Sequence, residues 1–368
     1  MRSLRVLAAT VAAGVALIPA AAAHATPPPA GPKLALPHVT GPWKVGQHTL
    51  HLTDPARADP WVPAERRELM VTLWYPARSA SSRPARYLTA QESALMVRSF
   101  GNPDIPEDLL TKVRTHATVD APALGGRAPL VILSPGFTLP RETLSAQAEG
   151  GYVVAGIGHN YESTAITFPD GHTTECAACA IGDWPKLVTA RAADVSFVLD
   201  QLTGPRPVWG GGRLIDARRI AMIGHSIGGA ATAPAMLADR RIDAGAMLDG
   251  AYYLPVTGLD RPFLQFGEPS HAPGAGDDRS WDTEWPRMTG WKRWITVDGG
   301  DHNMFTDQLL LIQQAGVEIP GLGIDPLRGI RLSQAYLTAF VDQHLRGGSG
   351  RLLDGPSACY SEVRFWHP

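Results

Sequence analysis

The sequence predicts an α/β fold, a mostly parallel sheet flanked by helices, on three observations. Short apolar runs recur at 129–133, 152–157, 219–223, 244–248, 262–266 and 294–297. Strands covered on both faces read as unbroken runs of this kind. Helical periodicity appears at 188–202, where Ala192, Val195, Val198 and Leu199 share a face, and at 332–345, with Tyr336, Phe340 and Val341. Third, the run 219–223 leads straight into Gly224-His225-Ser226-Ile227-Gly228-Gly229 and a small-residue stretch, a strand, a tight turn and a helix.

Taken in order, residues 1–25 read as an export signal. Arg2 and Arg5 precede a short apolar core at 7–17, and Ala23-His24-Ala25 supplies a small-x-small cleavage pattern. The apolar run is too short and Ala-rich for a membrane anchor, so a secreted, extracellular protein is expected. No other segment is long and apolar enough to cross a bilayer. Residues 26–42 form a Pro-rich leader, and residues 43–368 are expected to be one catalytic domain. Alternating residues at 48–52 and 69–75 suit strands. The segment 84–120 carries helical spacing in Ala94, Leu95, Val97 and Phe100, then Leu109, Leu110 and Val113, with Pro103 and Pro106 between. It reads as one or two helices inserted before the strand at 129–133.

Charge excludes one class of partner. Losing Arg2 and Arg5 with the signal takes 33 basic side chains to 31 against 35 acidic ones, a net charge of about −4. With no basic run, nucleic acid is not expected, because binding there rests on clustered Lys and Arg. Three cysteines remain, Cys176, Cys179 and Cys359. Export makes one disulfide the expected reading, and spacing leaves open which two pair. A zinc ribbon would need a second C-x-x-C, and no metal site is expected.

The G-x-S-x-G turn points to a nucleophile. A serine on a strained strand-to-helix turn faces the site, and glycines let strand and helix approach. Ser226 is the expected nucleophile, and the Ile227 N–H one oxyanion donor. A second donor should come from a loop after an earlier strand. Ser134-Pro135-Gly136-Phe137 follows the run at 129–133 and offers the Phe137 N–H. Chain order in such hydrolases is Ser, then Asp or Glu, then His. His302 lies just past the run at 294–297, at the carboxyl end of a late strand, where ligands collect. His271 in a Pro/Gly-rich loop and His344 within a helix rank below it, and His225 follows from the turn pattern itself. The acid is Asp249, ending the run at 244–248, or Glu268, one strand later. Asp301 reads as a loop-shaping residue. Either acid could orient the imidazole.

These residues also carry a family resemblance. From about Leu73 to Phe305 the chain resembles the plasma-type platelet-activating-factor acetylhydrolase family of the α/β hydrolases. The resemblance runs through Leu73-Trp74-Tyr75-Pro76, Leu133-Ser134-Pro135-Gly136-Phe137, Gly156-Ile157-Gly158-His159-Asn160, Gly224-His225-Ser226-Ile227-Gly228-Gly229, Met247-Leu248-Asp249-Gly250 and Asp301-His302-Asn303. It implies an α/β-hydrolase fold, Asp249 as the acid, no cofactor, and a phospholipid substrate with a short or oxidised acyl chain. The family's loop usually reads Ser-His-Gly-Leu; Pro135 and Phe137 depart from it here. The insertion matches members that dock on lipid surfaces. Leu109, Leu110 and Val113 would supply such a face, although a stripe at this spacing is more often core. Other ester specificities use the same machinery: acylglycerol lipase, polyester hydrolase or general carboxylesterase. A non-catalytic binding protein on this scaffold would be expected to lose Ser226 or His302, and this chain keeps both.

Overall fold

The computed structural model describes residues 33–38, 41–147 and 151–367. The signal segment 1–25, and the leader apart from residues 33–38, 41 and 42, lie outside them. The strands are β1 (Lys44–Ala58), β2 (Arg66–Ala77), β3 (Ala117–Val119), β4 (Ala128–Ser134), β5 (Val153–His159), β6 (Ile166–Thr167), β7 (Thr173–Thr174), β8 (Ile215–His225), β9 (Ala244–Leu248), β10 (Phe263–Gly267), β11 (Lys292–Val297) and β12 (Val363–Trp366). Ten of them make one sheet in the order β12-β11-β10-β9-β8-β4-β5-β2-β1-β3, and β6 pairs with β7 separately. The central strands β5, β4, β8, β9, β10 and β11 are all parallel to one another. β2 and β12 join them antiparallel on the two sides.

Each apolar run found in the sequence is one of these central strands. β4, β5, β9 and β10 are buried along their whole length. Because side chains alternate along a strand, each central strand serves two cores. In β4, Leu130 and Ile132 join the core on one face, and Val131 and Leu133 the core on the other. The helix α2 (Trp184–Thr203) covers the first face through Leu187, Val188, Val195 and Leu199. The last long helix, Pro326–Arg346, covers the second through Leu332, Tyr336 and Phe340. Both start on an aspartate cap followed within two positions by proline, Asp183 and Asp325, which satisfies free N–H groups and pre-sets the first turn.

The segment 84–120 is less helical than its periodicity predicts. Only α1 (Ala90–Ser99) is an α-helix, opened by a Thr89/Glu92 capping box. Beyond Gly101 and the two prolines, Leu109–Lys112 is a single 3-10 turn, and Ala117–Val119 is strand β3, paired parallel to β1. Leu109, Leu110 and Val113 are buried, so they form core rather than a lipid-facing stripe. Their cluster includes Met96, Val97 and, from the Pro-rich leader, Leu34 and Leu36. Burying a leucine contributes about 1.5–3 kcal/mol, so this end of the leader is held in place. No described helix is long and apolar enough to cross a membrane.

Candidate active site

β8 ends at His225, and Ser226 follows with φ 54° and ψ −122°. A positive φ is costly for a non-glycine residue and marks strain held in place by its surroundings. The space around it explains the glycines. A Cβ on Gly224 would lie 2.0 Å from the Gly228 carbonyl oxygen, and one on Gly228 would lie 2.1 Å from the Ser134 oxygen. The Ser226 N–H donates to Leu248 O at 2.8 Å, which ties the turn to the end of β9. The short helix Ile227–Ala230 starts directly behind the serine.

Asp249 follows β9, also at positive φ (52°), and is buried. Its Oδ2 accepts from His302 Nδ1 at 2.6 Å. Its Oδ1 accepts from the Glu268 N–H at 2.7 Å and from His271 Nδ1 at 2.9 Å. Burial pushes the Asp249 carboxyl up, but the hydrogen bonds from His271 and His302 win and hold it well below the usual carboxylate range. Glu268, the alternative acid, instead turns its carboxylate to the Ser270 N–H (3.1 Å) and contributes only its backbone to Asp249.

His302 opens a 3-10 turn after β11, capped by Asp301, whose side chain accepts from the Asn303 N–H. Burial works to lower the His302 pKa, yet the bond and charge of Asp249 raise it above the ordinary histidine value. The His302 carbonyl accepts from His225 Nε2 at 2.7 Å. Burial, reinforced by His302, pushes His225 down to about 3, so its ring is neutral and Nε2 carries the proton. Its Nδ1 faces Gly136, where a Cβ would come within 2.9 Å. Thus His225 supports His302 through the backbone, a role the turn pattern alone concealed.

The loop after β4 is fixed from below by a buried ionic cluster. Arg191, on α2, donates to the Pro135 carbonyl, to Ser134 Oγ at 3.3 Å and to Glu162 at 2.7 Å. His159 bridges Ser134 Oγ (3.0 Å) and Asp194 (2.8 Å). Arg67 pairs with Asp59, Glu162 and Asp194 at 2.8, 3.0 and 2.6 Å. Among the described residues, neither the Phe137 nor the Ile227 N–H is used in backbone hydrogen bonding. The Phe137 ring meets Trp184 edge-on at 5.4 Å, and Trp184 stacks on Tyr253 at 6.0 Å. Trp184 and Tyr253 are both exposed. The disulfide joins Cys176 to Cys179, just before α2, and Cys359 is an exposed thiol.

Asp249, Glu268 and His271 place potential ligand atoms within 4.8 Å of one another. They do not suit a cation. Asp249 Oδ1 already accepts two hydrogen bonds, and the bonds to Asp249 and Asp278 overcome burial to push His271 up to about 9. A protonated imidazole repels a metal. His271 is a contact of Asp249 that the sequence reading did not foresee. Its Pro/Gly-rich loop carries no signal that it would fold back onto Asp249.

No protein-family model matches the chain. A protein of Arthroderma benhamiae named as a probable 1-alkyl-2-acetylglycerophosphocholine esterase is 29% identical over 374 residues, covering 90% of this chain and 93% of its own. The solved structure of a ferulic acid esterase from Streptomyces cinnamoneus is 39% identical, covers 90% of this chain and 99% of its own, and superposes with a TM-score of 0.80. With a mostly parallel sheet, a serine elbow and two esterase relatives spanning nearly the whole chain, this protein is a carboxylic ester hydrolase of the α/β-hydrolase fold, similar to a probable 1-alkyl-2-acetylglycerophosphocholine esterase and to a ferulic acid esterase.

Proposed function

We propose that the chain cleaves carboxylic esters through a Ser226-His302-Asp249 triad and a covalent acyl-enzyme. The observation that carries this reading is the 2.6 Å bond between His302 Nδ1 and Asp249 Oδ2, with a serine held at φ 54° whose N–H bonds Leu248, the residue before Asp249. Asp249 fixes the tautomer that leaves His302 Nε2 free to take the Ser226 proton. Ser226 Oγ then attacks the ester carbonyl, and the Phe137 and Ile227 N–H groups bind the oxyanion. The carbon–oxygen bond breaks as His302 returns its proton to the leaving alcohol. Water, deprotonated by His302, then releases the acid. No step requires a cofactor.

For the substrate, we propose a phospholipid with a short or oxidised acyl chain, supported by the family resemblance and by the name of the Arthroderma relative. A second reading, a planar aromatic acyl group, is favoured by one observation. Phe137, Trp184 and Tyr253 line up as an aromatic rim beginning at the oxyanion loop, and such faces stack on flat rings. Its support also includes the ferulic acid esterase relative. Acetyl-phospholipid, methyl ferulate, p-nitrophenyl acetate and a triglyceride should be assayed on wild type, Ser226→Ala and Trp184→Ala. Ser226→Ala should lose all turnover and organophosphonate labelling. If the aromatic reading holds, Trp184→Ala loses about tenfold in kcat/KM on ferulate alone, the effect of about 1.4 kcal/mol of stacking. Equal losses on all four esters would refute it.

We further propose export to the extracellular space, resting on the Arg2/Arg5 start and the Ala23-His24-Ala25 site. Protein recovered from culture medium should begin at Thr26. Retention in the cell with an intact N-terminus would overturn this.

A further inference from the structure

Asp249 is shared by two histidines, and only His302 has a role in the proposed chemistry. The second, His271, sits in a built socket. Its Nδ1 is 2.9 Å from Asp249 Oδ1, and its Nε2 is 3.5 Å from Asp278 Oδ2. Its ring stacks on Trp281 at 4.4 Å and 25°. Its carbonyl accepts from Trp294 Nε1 at 2.8 Å, and its N–H donates to Glu268 O at 3.1 Å. Asp278 is itself fixed by the Ser280 N–H and hydroxyl, at 2.8 and 3.0 Å. Gly267 completes the socket, since a Cβ there would stand 3.0 Å from Asp249 Oδ1, His271 Cβ and Trp281 alike.

We propose that His271 is a positioning residue, which locks Oδ1 of Asp249 so that Oδ2 serves His302, and which limits the basicity of His302. The inference rests on the triad proposed above. A carboxylate bonded only by His302 could rotate about its Cβ–Cγ bond and exchange oxygens. With Glu268 N–H and His271 holding Oδ1, it cannot. The second effect is electrostatic. The groups facing His271 are Asp249, Asp278 and the Glu268 carboxylate. They favour its charged form, which bonds with Asp278 and Asp249 also stabilise against burial. The groups facing His302 are Asp249, Asp301, His225 and His271. Asp249 and Asp301 raise its pKa, and the positive His271 opposes them. A His302 made too basic would be protonated, and idle as a base, over more of the working pH range.

The test uses the full mature chain with His271→Gln and His271→Leu, read by kcat, KM and the pH profile of kcat/KM. Gln can still donate to Oδ1 but carries no charge; Leu does neither. Both variants should move the acid limb upward, by about half to one pH unit for loss of one nearby charge. His271→Leu should also lower kcat by about 10- to 100-fold with KM little changed, as expected when only orientation in the transition state suffers. If His271→Leu does not fold, the limb of His271→Gln carries the test. An unmoved acid limb in His271→Gln, or wild-type kcat in folded His271→Leu, overturns the proposal. Failure of the triad itself would appear separately, as turnover or labelling retained by Ser226→Ala.

Discussion

Asp249→Asn is expected to lower kcat by about 10³- to 10⁴-fold while the protein stays folded. The aspartate accepts three hydrogen bonds, two on Oδ1 and one on Oδ2. Asparagine has one accepting oxygen. Two donors, the Glu268 N–H and His271, crowd the Oδ1 side, so the oxygen settles there and the amide NH₂ faces His302. His302 then accepts through Nδ1 and carries its proton on Nε2, the atom that should receive the Ser226 proton. Wrong-tautomer imidazole cannot act as the base, and the imidazolium loses its counter-charge. Steady-state kinetics on any ester the wild type turns over measure this, and a loss under about tenfold contradicts the assignment. A linked effect appears in stability. His271 is raised from its ordinary 6.5 to about 9 in the fold. Its contribution is full below about 6.5 and fades as pH rises toward 9. Asp249→Asn keeps an accepting oxygen on His271 but removes one of the two negative charges bonded to it, so this decline between pH 6.5 and 9 should flatten in denaturation curves.

Arg191→Met should be the most destabilising change, about 3–5 kcal/mol, the usual cost of removing one partner from a buried ion pair. Arg191 is buried beside Glu162, Asp194 and Arg67. Three guanidiniums, Arg57, Arg67 and Arg191, face Asp59, Glu162 and Asp194 in this cluster. Removing Arg191 leaves three carboxylates facing Arg67 and the more exposed Arg57, while burial still opposes a charge on His159. Met fills most of the volume, so charge rather than a cavity dominates. The Pro135 carbonyl and Ser134 Oγ also lose their donor, so the Phe137 N–H loses its fixed aim. Below the denaturation midpoint kcat should fall too, by less than the roughly 10²–10³ that deleting one oxyanion donor costs. Urea denaturation gives the first quantity and kinetics at low temperature the second. A stability change under 1 kcal/mol would show that the cluster tolerates the lost charge.

Much of the fold could be read along the chain because its signals are local. The six parallel strands announce themselves as apolar runs, since both faces of β4 or β9 meet a core and no polar alternation interrupts them. The antiparallel edge strand β12 escaped notice: at four residues with only Val363 buried, its side chains hardly depart from a surface loop. Of the one or two helices expected in 84–120 one forms, α1, while Leu109, Leu110 and Val113, whose spacing also suits a helix, follow Gly101, Pro103 and Pro106 and lie on and beside a short 3-10 turn. Those three side chains are apolar to fill a core, and periodicity cannot say which surface a stripe will meet.

The site divides along the same line. Sequence alone singled out Ser226, through a glycine pattern whose steric reason is local, and His302, through chain order, as the candidates. Chain order left Asp249 against Glu268 open, because both end a strand and both carry a carboxylate, and only the family resemblance pointed to Asp249. Only the tertiary structure decided which carboxyl reaches His302. Asp249 leaves β9 at φ 52° with its side chain turned inward, whereas Glu268 caps its own turn at Ser270. The tertiary structure also brought His271 back across 22 residues onto Asp249, and seated Arg191 beneath Pro135 from a helix 56 residues away. Hydrogen bonds between residues so far apart in the chain depend on how strands and helices pack. No local pattern encodes that packing.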